Sequence, residues 1–504
     1  MASRRAGGQG RDEAQARSAL ECLLPTAQLL RRGGDERIDA DVAGTDRYGG
    51  LSQPDPGLAA FGSSTASTIS QAGWNAAEQL HRRIADDARR APAETYRRET
   101  DRVRAELTAL CGLSDLAGLR VVLGASGTDI HLLAREIAAG GGDLLCLTAS
   151  GSETGRGVGA AVAARRFAAR TPLDGPCRLG HPVHSNRPGA TLVIEARDPD
   201  GALRPDGVIE QELHALIAAA AAAGRRVLLV AADVSKTGLI FPSLSLVAGL
   251  RARWPSTVRV LIDACQFRLA PATLRAYLRH GFVVAVTGSK FLTGPVFSGA
   301  LFLPADGDAA PLPAALGAYS ARADWPRGCL AAEGLPAIGN FGLLLRWEAA
   351  LEELRRFSAI PAGETEAFLA RFEAAVADRL ARDSGLHPLP VPTLDRSAIG
   401  APPGWDRTQT IFPFTLGDLD AAGTARVHRE LAAGDSRVQF GQPVACGRRA
   451  GQELAALRIC ASSRLVVEAA AGPAAADAVI ARAMSALDRA AALACGKPRV
   501  ELAA

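Results

Sequence analysis

The chain has 504 residues, 48% hydrophobic and 22% charged, an ordinary globular composition in a length that predicts more than one domain. The formal net charge is +4, with acids and bases interspersed and no dense Lys/Arg block, which argues against nucleic acid as a partner. No apolar stretch is long enough for a membrane span, and the polar, Arg-rich residues Met1 to Arg17 lack the apolar centre of a secretory signal.

Nine cysteines lie scattered without a CxxC pair, which predicts reduced thiols and a cytoplasmic location. Eight histidines form no HxH or HxxxH pattern, so no metal site is expected. Residues 1–75 read as an N-terminal extension. Within it, Arg37-Ile-Asp39 and Arg47-Tyr48-Gly49 fall in loop, and the hydroxyl cluster Ser63 to Ser70 opens a helix. A helical pattern then runs from Asn75 to Leu110.

Residues 76–304 form the predicted large domain. Apolar runs at Arg120–Gly124, Asp143–Thr148, Thr191–Glu195, Arg226–Val230, Arg259–Asp263, Phe282–Val286 and Ala300–Leu303 alternate with helical segments. Unalternating apolar strands separated by helices predict an α/β fold, its mostly parallel sheet covered on both faces and its ligand site at the strands' carboxyl ends. Ala300–Leu303 follows Phe282–Val286 too closely for a crossover helix and is expected to pair antiparallel. Residues 305–504 read as a linker and a smaller α+β domain. Its expected helices are Gly339–Phe357, Glu364–Ala381 and an Ala-rich one ending near Cys495; its expected strands are Thr408–Phe414, Val438–Phe440 and Leu457–Cys460.

Four strand ends carry residues with chemical potential. Ser126-Gly127-Thr128, at a strand-to-helix turn, offers backbone amides, a close-approach glycine and two hydroxyls: an anion cradle or a capped turn. It is not a dinucleotide fingerprint. Asp263-Ala-Cys-Gln266 places a carboxylate at the end of an apolar strand, where it needs a cationic partner such as a protonated pyridine nitrogen, or serves as a helix cap. Gln266 is placed to bond a ring oxygen. Ser235 lies in the turn Ser235-Lys236-Thr237-Gly238 and is a further ring-facing candidate. Thr287-Gly-Ser289-Lys290 ends a buried strand with a lysine. Desolvation favours a neutral amine there, as carbonyl chemistry requires.

In these motifs and their order, the chain resembles the fold-type I pyridoxal-phosphate enzymes, within them the class V aminotransferase and cysteine desulfurase group. The resemblance covers Leu119 to Leu303 well and the remainder loosely. It implies pyridoxal 5'-phosphate as cofactor and an amino acid as substrate. It assigns Lys290 as covalent attachment point and Cα base, and Asp263 as partner of the pyridine nitrogen. Cofactor contacts fall to Ser126, Gly127, Thr128, Ser235, Gln266, Thr287, Ser289 and Ser298. Arg458, in Leu457-Arg-Ile-Cys-Ala-Ser462, becomes the grip on the substrate α-carboxylate. It further implies a homodimer, with Ser298 touching the neighbouring subunit's phosphate, and an N-terminal segment reaching the active site.

The sequence departs from the group's pattern at several places. Ser289 stands where a histidine is usual, and Ser235 where an asparagine is. No aromatic follows Asp143–Thr148, leaving Glu153 or Thr154 for the ring face. Val438–Val444 has no cysteine where a desulfurase nucleophile belongs; Cys446 is offset. An aminotransferase is therefore the leading expectation. The alternatives are a lyase or a decarboxylating, carbon–carbon bond-forming enzyme, and, from another class, a non-catalytic cofactor-binding protein.

Overall fold

The computed structural model describes residues 20–42, 44–184, 190–305, 310–382, 385–433 and 437–496. The N-terminal stretch Met1 to Arg17 lies outside them. The large sheet is built from β2 (Arg120–Gly124), β3 (Leu144–Ala149), β4 (Ala190–Ile194), β5 (Arg226–Asp233), β7 (Val258–Ala264), β8 (Val283–Thr287) and β9 (Gly299–Leu303). Their order across the sheet is β2-β9-β8-β7-β5-β3-β4, and the short β6 (Ile240–Phe241) pairs back onto β5. This is the expected seven-strand path. β9 runs antiparallel to both neighbours, β8 and β2, while β8, β7, β5, β3 and β4 are mutually parallel. The carboxyl ends of β2, β3, β5, β7 and β8 therefore open on one edge.

Both faces of the central strands are buried, while the edge strand β4 is largely exposed. Leu228, Val230, Leu261, Ala285 and Leu301 belong to one buried cluster, and Val227, Leu229, Val260, Ile262 and Val284 to the other. Burial on both sides is why the strands read as unbroken apolar runs. The flanking helices α3 (Gly127–Ala139), α4 (Asp206–Ala222), α5 (Leu244–Arg253) and α6 (Pro271–Arg279) supply the covering layers.

The helical stretch expected over Asn75 to Leu110 is two helices, α1 (Gln71–Arg90) and α2 (Pro92–Leu110). Pro92 lacks the N–H needed to continue the ladder but fits a first helical position, so the chain breaks at Ala91 and restarts. Both pack against α7 (Phe341–Ser358), which is buried along most of its length.

The second sheet orders β1 (Ala59–Phe61), β12 (Val438–Arg449), β13 (Gln452–Cys460), β11 (Ile411–Leu416) and β10 (Leu386–Pro388). Helices α8 (Ala362–Arg382), α9 (Ala421–Ala432) and α10 (Pro473–Ala494) complete this part. β1 pairs parallel with β12, Ala59 opposite Val438. The N-terminal segment thus adds an edge strand to the C-terminal sheet, and the division at residue 75 does not mark an independent extension. Arg346 in α7 ties the segment down further. Its buried guanidinium donates to the carbonyls of Leu30, Arg32 and Gly33 and, through Nε, to that of Phe297.

Candidate active site

The lysine turn is shaped by its glycines. A Cβ on Gly288 would lie 2.5 Å from the Ala350 Cβ, and one on Gly294 2.8 Å from the same atom. Only glycine allows the turn to sit this close to α7. Gly288 N–H donates to the Ser298 carbonyl and Gly294 N–H to that of Gly288, closing the loop around Lys290, which is half-buried. Ser289 is buried beside it. Thr287 hydroxyl donates to the Cys265 carbonyl at 2.6 Å, joining the ends of β8 and β7.

Asp263 lies one strand over, at the end of β7. One carboxylate oxygen accepts from Cys265 N–H at 3.1 Å; the other faces His131 Nε2 at 3.4 Å. His131, fully buried in α3, was not anticipated from sequence, although one helical turn places it on the side of Gly127. Its Nδ1 lies 2.6 Å from the Gly127 carbonyl, which only accepts, so Nδ1 carries a proton. A bare Nε2 opposite a carboxylate would be repelled, so the imidazolium is the stable form. Burial opposes the charge on His131, but the facing Asp263 outweighs it and raises its pKa. Burial likewise pushes the Asp263 carboxyl up, and His131 and then Lys290 override it, holding the carboxyl well below the usual range. The pair is close without being aligned: His131 Nε2 has no hydrogen-bond partner among the described residues.

At the end of β2, Ser126 caps α3, accepting from Asp129 N–H at 3.2 Å and donating to the Asp129 carboxylate. A Cβ on Gly127 would stand 3.1 Å from Cys265 Sγ and 3.2 Å from Thr287 Cγ2, so the glycine lets the turn approach the ends of β7 and β8. Ser126, Gly127, Thr128, Asp263 and the lysine turn are thereby brought to one sheet edge. Arg37, absent from the sequence-based site, approaches the same turn: its guanidinium lies 3.4 Å from Thr128 Oγ1 and 3.5 Å from Ser126 Oγ.

Ser235 is placed nearby but is engaged by its own turn. Its hydroxyl donates to Glu153 Oε2 at 2.6 Å and accepts from the Thr237 and Leu239 N–H groups. Glu153, a ring-face candidate from sequence, is committed to Ser235, Thr237 and Arg197 and is buried. The other candidate, Thr154, lies buried with its hydroxyl donating to the Ser150 carbonyl at 3.1 Å. Lys236, the neighbour that sequence reasoning passed over, points its Nζ at the Gly151 carbonyl, 2.7 Å away. Burial, followed by the charges of Arg458 and Lys290, lowers its pKa to about 7.

The hydroxyl cluster of the N-terminal segment lies against Gln266 and Arg458. Gln266 Nε2 donates to the Ser64 carbonyl at 3.0 Å, and Thr65 Oγ1 accepts from Arg458 at 2.9 Å. Arg458 is buried on β13 and bonds the carbonyls of Gln442 and Lys236, with no carboxylate partner among the described residues. Burial lowers its pKa to about 10. Gly441 opposite makes room: a Cβ there would lie 2.5 Å from Ser64 Oγ and 3.0 Å from Arg458 Nε.

Ser298 does not take its expected place. It is completely buried in this chain, and its hydroxyl donates to the Pro295 carbonyl at 3.2 Å, so it has no surface to offer a neighbouring subunit. The nine cysteines are unpaired. Cys446 packs in an apolar cluster with Val444 and Ala456, and burial pushes its thiol up to about 11.

The fold that these two sheets form is shared with solved structures of the fold-type I pyridoxal-phosphate enzymes. Solved structures with the same fold include the cysteine desulfurase CsdA of Escherichia coli, at 15% identity and a TM-score of 0.51, covering 86% of this chain and 94% of that one. A cystine C–S lyase, C-DES, solved with its product cysteine persulfide, has 16% identity and a TM-score of 0.50, covering 84% of this chain and 97% of that one. A serine palmitoyltransferase from S. paucimobilis, holding pyridoxal phosphate joined to myriocin, has 14% identity and a TM-score of 0.50, covering 86% of this chain and 87% of that one. No family model and no curated protein matches the sequence.

Proposed function

We propose that this chain is a pyridoxal-phosphate enzyme acting at the α-carbon of an amino acid, with transamination as its reaction. The observation that carries the reading is the convergence of Lys290, Asp263 and the Ser126 turn on one sheet edge, together with a buried Arg458 that has no carboxylate partner among the described residues. The polar groups left over there fit the cofactor and substrate. Gln266 Oε1, Ser64 Oγ and Arg458 Nε are buried without hydrogen-bond partners among the described residues. Unpaired groups of this kind cost about 1–3 kcal/mol each, so a site gathering several is built for a ligand that satisfies them.

Bound pyridoxal phosphate supplies an electrophilic carbonyl and a ring that draws electrons from the substrate α-carbon. The remaining work falls to the chain. Asp263, kept ionised by His131, presents a carboxylate to a protonated ring nitrogen. Ser126, Gly127 and Thr128 bring hydroxyls and helix N–H groups to the phosphate. Arg458 holds the substrate carboxylate through a charge-assisted pair. Lys290 would supply the amine that holds the cofactor carbonyl and the base that takes the α-proton.

The buried cysteines favour transamination over desulfuration. Cys446 and Cys460 are buried, and burial holds the Cys446 thiol protonated, which makes it a poor sulfur acceptor. A lyase reaction, which needs no such thiol, is the second reading. The dimer that the resemblance implies is checked by sedimentation.

The cofactor is tested by the visible spectrum of the purified protein. A carbonyl–lysine band, bleached by borohydride and absent in Lys290→Ala, is expected; a colourless protein after incubation with pyridoxal phosphate would overturn the reading. Amino acids are then screened for keto acid against ammonia or CO2. Spectral binding without turnover would identify a non-catalytic binder.

A further inference from the structure

The strongest unexplained feature of the site is Arg37, which comes from the N-terminal segment and not from the large domain. Resting on the cofactor reading above, we propose that Arg37 is a phosphate-positioning residue, a guanidinium that the N-terminal segment delivers to the Ser126–Thr128 turn.

The side chain is held tightly on one edge and loosely on the other. Nε and one terminal nitrogen grip the fully buried Asp35 carboxylate at 2.8 and 2.5 Å. This bidentate pair fixes the plane of the fork. The remaining N–H groups point to Tyr48 Oη at 3.2 Å, Thr128 Oγ1 at 3.4 Å and Ser126 Oγ at 3.5 Å. The last two are long for hydrogen bonds, so these donors retain capacity for a stronger acceptor.

Asp35 keeps the guanidinium charged here. The first turn of α3 brings the positive end of its helix dipole to the same place, so an anion there would meet both the dipole and the guanidinium. A second observation marks the spot: Asp129, fully buried in that first turn, has one carboxyl oxygen without a partner among the described residues. Burial raises this carboxyl to about 7, so near neutrality a fraction of it is an O–H donor and not a competing charge.

The arginine is also braced from every side. Its guanidinium lies over the Phe297 ring, 5.1 Å from the centroid. Phe297 itself holds a left-handed φ of 71°, costly for an aromatic residue, with its carbonyl bound by Arg346. Arg170 donates to the Gly34 and Asp35 carbonyls and to Asp39, and Glu36 accepts from the Ala169 and Arg170 N–H groups. Asn340 Nδ2 donates to the Gly33 carbonyl. A loop fixed by three side chains from elsewhere in the chain can hold a charge to the tolerance that binding requires.

The test compares cofactors with and without the phosphate. Dissociation constants for pyridoxal phosphate and for pyridoxal are measured by spectral titration of wild-type, Arg37→Gln and Arg37→Lys proteins, with apo-protein melting curves alongside. Arg37→Gln is expected to weaken pyridoxal phosphate by roughly tenfold to a hundredfold and leave pyridoxal unchanged, with Arg37→Lys between. Unchanged phosphate-ester affinity, or an equal loss for both compounds, would overturn the phosphate role; the latter means the arginine only braces the fold. Wild-type protein that takes up neither compound would overturn the cofactor reading and this inference together. Wild-type protein that binds both equally would overturn this inference alone.

Discussion

His131 Nε2 stands 3.4 Å from Asp263 Oδ2 while its Nδ1 is tied to the Gly127 carbonyl at 2.6 Å, so one imidazolium links the turn after β2 to the carboxylate at the end of β7. Two pieces of the site that are far apart in sequence are thus coupled through one protonated ring.

That coupling predicts a pH-dependent stability. The His131 pKa is raised in the fold, so its stabilising charge is fully present below the unfolded value of about 6.5 and is lost as pH rises through the folded value. His131→Gln should melt lower than wild type at mildly acid pH, with the gap narrowing as the solution becomes alkaline. A gap constant with pH would show that the ring contributes packing and no charge. Asp263, held low, adds a contribution that disappears only in strong acid, as pH falls through its depressed pKa.

Arg458 should show function and stability pulling apart. A buried guanidinium without a carboxylate partner is costly, so Arg458→Met is expected to melt no lower than wild type, or higher by a few degrees. Its KM for amino acids should rise at least tenfold, with the cofactor spectrum retained. Arg458→Lys should not rescue the KM, because a lysine lacks the fork. A large loss of melting temperature in the Met variant would contradict this account of the residue.

Gly441→Ala is expected to disturb the same place from the opposite strand. The added methyl would overlap Ser64 Oγ at 2.5 Å and crowd Arg458 Nε at 3.0 Å. Relief requires the hydroxyl or the guanidinium to move, at a cost of about 1–3 kcal/mol. Denaturant unfolding measures the loss, and a variant as stable and as active as wild type would refute the close approach.

Lys236 predicts an inflection in substrate binding. Its neighbours in charge are Arg458, Lys290 and Arg156, opposed by Glu153, and burial ahead of them lowers its pKa to about 7. The folded value lies below the unfolded one of about 10.4, so stability rises with pH between them. Binding of an anionic substrate should weaken as Lys236 loses its proton above pH about 7. Lys236→Met should remove that inflection while Lys290 still forms the cofactor adduct. Persistence of the inflection in the variant would assign it to another group.

Lys290→Ala should leave melting of the apo-protein close to wild type, because the side chain is half-buried and makes no ion pair among the described residues. The cofactor band should be absent. Far-ultraviolet dichroism and the visible spectrum together check this, and a retained band would place the attachment elsewhere.

The sequence by itself determined the parallel sheet, because strands buried on both faces must be apolar throughout and so announce themselves. It also determined the lysine turn as a strand-end lysine flanked by glycines, although the close approach of Ala350 that requires those glycines is tertiary. The Ser126 turn and the Asp263 strand end were legible for the same reason, since each is a short-range pattern at a strand terminus. Tertiary structure alone decided what those residues face. His131 reads as any helical histidine until β7 brings Asp263 beside it. Arg37 reads as a loop charge until Arg346, Arg170 and Asn340 carry its segment to α3. β1 reads as three unremarkable residues until it pairs with β12 across most of the chain. Apolar periodicity is a local signal of burial, whereas a charge's role depends on its partner, and partners distant in sequence are assigned only by the fold.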